Sequence, residues 1–204
     1  MAKIFITSYL AGTQQKLLEF MSKTDNVQDQ ILFITTAANV ESYTKYMADG
    51  IKMLQNLGYK LDFLDITAEN ELTCYQKIET AKIICVAGGN TFYLLQAIKQ
   101  KSLLTLLRHK ILKDCLYIGE SAGGIILSKN IRYCETMDDK SLAPDLENDA
   151  SLNVIDFFPL PHYIEKPFIE PVKEIFEVYK CQINLVPIDN KQVITILNDD
   201  IKIY

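Results

Sequence analysis

Cys115-Leu116-Tyr117-Ile118-Gly119-Glu120-Ser121-Ala122-Gly123-Gly124-Ile125-Ile126-Leu127 passes from an apolar, strand-length run through a glycine-flanked serine into a second apolar run with helical character. Strand, tight turn and helix in that order lift the serine out of its sheet, expose its hydroxyl, and set the next amide at a helix N-terminus. The flanking Gly119 and Gly123 follow from the crowding of such a turn, where a Cβ would collide with neighbouring backbone. Ser121 is therefore the candidate nucleophile, and an ordinary glycine-serine turn after a strand is the plainer alternative.

Outward from this elbow, strand-length apolar runs alternate with longer helical patterns. Lys3–Tyr9, Ile31–Thr35, Tyr59–Leu64, Ile83–Ala87 and Leu116–Gly119 read as strands. Gln14–Met21, Glu41–Leu57, a helix from Thr91, and Leu103–Leu112 read as the helices between them. In Glu41–Leu57 the residues Tyr43, Tyr46, Met47, Ile51 and Leu54 recur at helical spacing, and Gly58 is a C-terminal stop. Apolar strands separated by helices predict an α/β fold, a doubly wound, mostly parallel sheet covered on both faces. Sites in such sheets lie at the carboxyl ends of the strands. Two of those ends, Gly88-Gly89 and Gly119–Gly124, carry glycine turns and should lie side by side. Beyond residue 130 the pattern changes. Tyr133–Asn153 reads as a long polar loop or short irregular strands, Val154–Leu160 as a strand and Phe168–Tyr179 as a helix. Gln182–Pro187, Gln192–Leu197 and Ile201–Tyr204 read as short strands of an antiparallel edge.

The chain has 204 residues, 49% of them hydrophobic and 23% charged, which suits one domain spanning 1–204. A net charge of −5 disfavours nucleic acid or an anionic membrane as partner. Met1-Ala2-Lys3-Ile4-Phe5-Ile6-Thr7 is strand-like and lacks the long apolar segment of a signal peptide, and no apolar stretch is long enough to span a bilayer. The 5 cysteines (Cys74, Cys85, Cys115, Cys134, Cys181) share no Cys-x-x-Cys spacing, which predicts a reduced, cytoplasmic protein. With only 2 histidines and no Cys/His cluster, neither a metal nor another cofactor is expected.

A serine nucleophile needs a base, and histidine is the usual one. His109 lies mid-helix among basic neighbours and reads as a solvated residue. His162 follows an apolar strand and Pro161, at a strand end, so it is the candidate base. A carboxylate is then needed to hold the imidazole tautomer. Glu135, Asp138, Asp139, Asp145, Glu147, Asp149 and Asp156 all precede His162, and their spacing alone does not choose among them. Oxyanion donors are available from Ala122 N–H and from Gly88 or Gly89, where glycine permits close backbone approach to substrate. Gly88 and Asn90 are candidate substrate contacts, and Asn90 or Thr91 is also a natural helix N-cap.

Gly88-Gly89-Asn90-Thr91-Phe92, Gly119-x-Ser121-Ala122-Gly123 and Phe158-Pro159-Leu160-Pro161-His162-Tyr163 together resemble peptidase E, the aspartyl dipeptidase family of serine peptidases. Cyanophycinase is a more distant relative, and the resemblance runs from Ile4 to Tyr179. It implies a flavodoxin-like fold of the class I glutamine amidotransferase type, with serine replacing cysteine at the elbow. It also implies a metal-free Ser-His-Asp/Glu triad acting on short peptides, and the chain is expected to work as a monomer or homodimer. Ser121 matches the nucleophile, His162 the base, and Gly89 with Ala122 the oxyanion donors. Asp138, within Thr136-Met137-Asp138-Asp139, is the favoured acid, ahead of Asp139 and Glu135. The family reads an N-terminal aspartate with an arginine after the histidine. Residues 164–180 here hold Lys166, Lys173 and Lys180 but no arginine, so strict aspartate specificity is not expected. The alternatives are an α/β-hydrolase esterase, an amidotransferase-like glutaminase and a non-catalytic binding module.

Overall fold

Runs whose side chains are apolar on both sides become central strands, because each face of the sheet then has helices to cover it. The computed structural model describes residues 2–24, 29–113, 115–198 and 200–204; Met1, the first residue of the strand-like N-terminal run, lies outside them. In chain order the elements are β1 (Lys3–Thr7), α1 (Gln14–Ser22), β2 (Gln30–Ile34), α2 (Lys45–Asn56), β3 (Lys60–Leu64), α3 (Glu71–Thr80), β4 (Ile83–Val86), α4 (Thr91–Gln100) and α5 (Leu104–Lys113). They continue with β5 (Leu116–Glu120), α6 (Ala122–Ile125), β6 (Phe158–Leu160), α7 (Ile169–Tyr179), β7 (Leu185–Pro187), β8 (Val193–Leu197) and β9 (Asp200–Ile203).

The main sheet has order β3-β2-β4-β5-β1-β8-β9, parallel from β3 to β1 and antiparallel across β1-β8 and β8-β9. Alternate residues feed two cores. Ile4, Ile6, Leu32, Ile34, Ile84 and Val86 pack with α3, α4 and α5 on one face. Phe5, Ile31, Phe33, Ile83, Cys85 and Ile118 pack with α1 and α2 on the other. Each such fully buried side chain contributes about 1.5–3 kcal/mol. From β2 the chain steps outward to β3 and then crosses back to β4, so the order reverses there and opens a crevice at the carboxyl ends. No described helix is long and apolar enough to cross a membrane.

Three sequence expectations differ from the structure, and one helix stands where the sequence pattern shows none. Helix α3 was missed because only Cys74 and Ile78 of its apolar residues are buried, while Leu72 and Tyr75 face solvent. Its stripe is too narrow to show as periodicity, although Asn70 caps it by accepting from Thr73 N–H at 2.9 Å. Helix α2 begins at Lys45, since a 3-10 turn over Thr36–Val40 and an extended Glu41 come first. It ends as expected, with Tyr59 N–H on Leu54 O and Gly58 N–H on Gln55 O. Only Phe158–Leu160 of the expected strand Val154–Leu160 is extended and paired. Finally, β7 does not join the antiparallel edge but pairs parallel with β6 in a separate two-stranded sheet. That small sheet caps a satellite core with α4, α6 and α7 and carries the chain up to His162.

Candidate active site

The turn after β5 is as tight as its sequence suggests. Ser121 sits at φ 47°, ψ −106°, a conformation that costs an L-residue about 1–3 kcal/mol. It is held there from both sides. Ser121 N–H donates to Thr7 O at 2.8 Å, and Ser121 O accepts from Gly124 N–H at 2.8 Å and Ile125 N–H at 3.0 Å. A Cβ at Gly123 would stand 2.4 Å from Val86 O, and one at Gly119 would stand 2.5 Å from Gly123 O. The buried Tyr117 hydroxyl donates to Gly123 O at 2.7 Å and fixes the start of α6.

His162 reaches the serine from the loop after β6. Its backbone is also in the left-handed region, at φ 60°, and its N–H donates to Ser8 Oγ at 3.0 Å. Ser8 in turn donates to Ile188 O at 3.0 Å, which ties the end of β1 to the histidine loop. The ring stacks on Phe168 with centroids 4.5 Å apart. Nε2 lies 3.0 Å from Ser121 Oγ, and Nδ1 lies 3.0 Å from Asn190 Oδ1. With Asn190 accepting from Nδ1–H, the neutral ring presents Nε2 as an acceptor to the serine. Burial pushes the His162 pKa below its ordinary value, opposed by Asn190 and by the charge of Glu165. The imidazole is thus neutral at pH 7. His109 lies on the exposed side of α5, as its neighbours suggested.

Asn190 escaped sequence reading. It belongs to a turn in which Asp189 Oδ1 accepts from Lys191 N–H at 2.7 Å and Gln192 N–H at 2.8 Å. The turn precedes β8, whose antiparallel register pairs Val193 with Thr7, the last residue of β1. Residues before an antiparallel strand therefore arrive at the carboxyl ends of the parallel ones. That reversal was the available signal, but no local motif marks it.

The structure does not bring Asp138 to the imidazole. Its Oδ2 instead accepts from Thr91 N–H at 2.9 Å, at the N-terminus of α4, where an anion is favoured. Burial raises the Asp138 pKa to about 6, with Thr91 opposing the shift. Asp139 caps a 3-10 turn through Ser141 N–H at 2.9 Å, and Glu135 is exposed. Neither bonds to His162.

The loop after β4 has its donors accounted for one by one. Gly88 N–H donates to Glu120 Oε2 at 3.3 Å, Asn90 N–H to Ala37 O at 2.9 Å, and Thr91 N–H to Asp138. Among the described residues, Gly89 N–H is the one donor of this loop without a hydrogen-bond partner. Gly89 has φ 130°, and a Cβ there would meet Ala37 O at 2.1 Å, so no other residue fits. Ala122, first residue of α6, likewise has no intrahelical acceptor for its N–H. The Asn90 side chain is occupied, accepting from Tyr93 N–H and donating to Asp139 O, both at 2.9 Å. It caps α4 and is not free for substrate. Gly88 lines the cleft, its carbonyl accepting from Tyr46 Oη at 3.2 Å. The cleft, about 460 Å³, is walled by carboxylates (Glu41, Asp49, Glu120, Asp138), with Lys166 the single lysine or arginine among the described residues that line it.

The family model of peptidase family S51 matches residues 2–204. An uncharacterised peptidase of Pasteurella multocida is 36% identical over 200 residues, covering 98% of this chain and 95% of that protein. A Nostoc protein named Peptidase E is 29% identical over 157 residues, 76% of this chain and 60% of that one. A crystal structure of a candidate Peptidase E from Listeria monocytogenes superposes with a TM-score of 0.93 at 37% identity, covering 100% of this chain and 98% of the other. In sequence and in fold alike, this chain belongs to peptidase family S51.

Proposed function

We propose that this peptidase is a single-domain, cofactor-independent dipeptidase that cleaves short peptides by nucleophilic catalysis from Ser121. The observation that carries the reading is the 3.0 Å contact between Ser121 Oγ and His162 Nε2 at a strained strand-helix elbow, beside an unengaged Gly89 N–H. Ser121 Oγ attacks the peptide carbonyl carbon while His162 Nε2 takes the hydroxyl proton. The negative charge that develops on the carbonyl oxygen faces Gly89 N–H and Ala122 N–H. His162 then gives its proton to the departing amine, and a water molecule, deprotonated by the same nitrogen, releases the acyl group from Ser121. Asn190 acts as the orienting partner: its amide oxygen fixes the productive tautomer, as an asparagine does in Cys-His-Asn peptidases. Asp138 anchors the loop that carries Gly89.

The acidic cleft and the absence of an arginine after His162 argue against strict selection of N-terminal aspartate. Hydrolysis by one peptidase chain, or by a homodimer of it, in a reducing cytoplasm fits the cysteine usage. The test is twofold: labelling of wild type and Ser121→Ala by a fluorophosphonate probe, and hydrolysis rates over dipeptides with varied N-terminal residues. Labelling that persists in Ser121→Ala, or wild type inert to both probe and peptides, would break the reading.

A further inference from the structure

One buried carboxylate beside the nucleophile takes no part in this mechanism. Glu120, immediately before the nucleophile, is 1% exposed, and no described lysine, arginine or histidine pairs with it. Its carboxylate is divided between two loops. Oε1 accepts from Leu10 N–H at 2.8 Å, in the turn after β1, and Oε2 accepts from Gly88 N–H at 3.3 Å, in the loop after β4. These are the two walls of the cleft on either side of Ser121. An apolar residue at 120 would leave two buried donors unsatisfied, at about 1–3 kcal/mol each.

We propose that Glu120 is a positioning residue: its ionised carboxylate clamps the turn after β1 to the loop after β4 and thereby aims Gly89 N–H at the substrate oxygen. The proposal rests on the reading of Ser121 as nucleophile. The geometry explains why an anion is needed. A carboxylate offers good acceptor lone pairs on both oxygens, whereas a protonated carboxyl group keeps only one good acceptor. The longer bond, to Gly88, is the one lost. Gly88 N–H is then free to swing toward the cleft and displace its neighbour Gly89. The groups that face Glu120 are Tyr9 after β1, Tyr46 on α2 and Cys85 on β4, all with pKa values pushed up, so all neutral near pH 7. Beyond Tyr46 lie Glu41 and Asp138. Burial raises the Glu120 pKa to about 7, with the two N–H groups opposing the shift. The clamp therefore closes as pH rises through neutrality, above the point at which His162 becomes a base.

Two measurements test this. In wild type, the backbone amide resonances of Leu10 and Gly88 are followed by NMR from pH 5 to pH 9. Both should titrate with one midpoint near 7, and flat amides would overturn the clamp whatever the enzyme does. Secondly, kcat and KM are measured against pH for a neutral dipeptide with Glu120→Gln. Glutamine can accept from only one N–H and turns a donor toward the other. Its kcat should fall about 10–100-fold with KM within about threefold, since only the aim of a transition-state donor is lost. Its acid limb should move down to the limb set by His162. Glu120→Asp, too short to span both loops, should also lose kcat while keeping a carboxylate limb. A Glu120→Gln enzyme with wild-type kcat and acid limb would overturn the proposal. So would a KM increase confined to peptides with a free α-amine and absent for N-acetylated ones, because Glu120 would then be binding the ammonium group. Fluorophosphonate labelling separates the two levels: an unreactive wild type breaks the nucleophile reading and the proposal with it, whereas a reactive wild type with an unaltered variant breaks the role of Glu120 alone.

Discussion

The imidazole of His162 faces two regions built on different rules. On its Nε2 side stand β4 and β5, parallel strands whose carboxyl ends turn through glycines and present Ser121, Gly89 and Ala122. On its Nδ1 side stands the turn before β8, on the antiparallel edge, which presents Asn190. In the parallel half, chemistry follows a strand and is written next to it, because the turn needs glycine and the helix needs a cap. At the antiparallel edge, chemistry precedes the strand, and the turn is closed by Asp189 with no demand on the identity of residue 190. A site that straddles the two is half marked and half silent.

The division can be broken first on its marked side. Ser121→Ala should lower kcat by about 10³–10⁶-fold with the fold unchanged by circular dichroism, since the other groups do not act without the nucleophile. Activity within tenfold of wild type would remove Ser121 from the chemistry altogether.

The silent side gives the next largest effect. Asn190→Ala removes the acceptor at Nδ1 and frees the ring to adopt either tautomer, for a loss of about 10–10³-fold in kcat. Asn190→Asp keeps the acceptor and adds a negative charge. That charge favours the imidazolium, so the His162 pKa rises and the acid limb of kcat/KM moves to higher pH. An unmoved limb would mean that residue 190 does not act on the ring. Asp138→Asn should cost less, within about tenfold, by loosening the start of α4 while leaving the His162 tautomer unchanged in ring-nitrogen NMR. A tautomer change in that variant would return the orienting role to Asp138. Smallest of all, Lys166→Met should shift the ratio of Asp-Xaa to neutral dipeptides little, from a starting preference under about 100-fold. A wild-type preference above about 10⁴-fold, abolished in Lys166→Met, would show that a lysine reads the substrate carboxylate.

Much of the parallel half was legible because its constraints are local. The strand-turn-helix pattern around Ser121 and the glycine pair after β4 imply each other's neighbourhood, and His162 follows by elimination among 2 histidines. Asp138 was singled out by position in a motif, yet its carboxylate answers to the dipole of α4, a partner that only the packing of the long loop reveals. Helix α3 went unseen since two of its four apolar residues are exposed. The run Gln182–Pro187 is expected at the antiparallel edge, yet only Leu185–Pro187 of it forms a strand, parallel to β6, because an apolar run does not specify its partner.

The backbone at Ser121, at φ 47° and ψ −106°, has a thermal consequence. Glycine adopts that conformation at no steric cost, so Ser121→Gly should be inert and yet melt higher than wild type, by about 2–4 °C for roughly 1 kcal/mol of released strain. Scanning calorimetry of the pair would read it directly, and a lower Tm for the glycine variant would mean the elbow is relaxed. If the inert form does melt higher, heat is a selective agent against this enzyme. Among revertants chosen for survival at high temperature alone, loss of the nucleophile would be a favoured outcome, and keeping the serine would require selection for peptide hydrolysis.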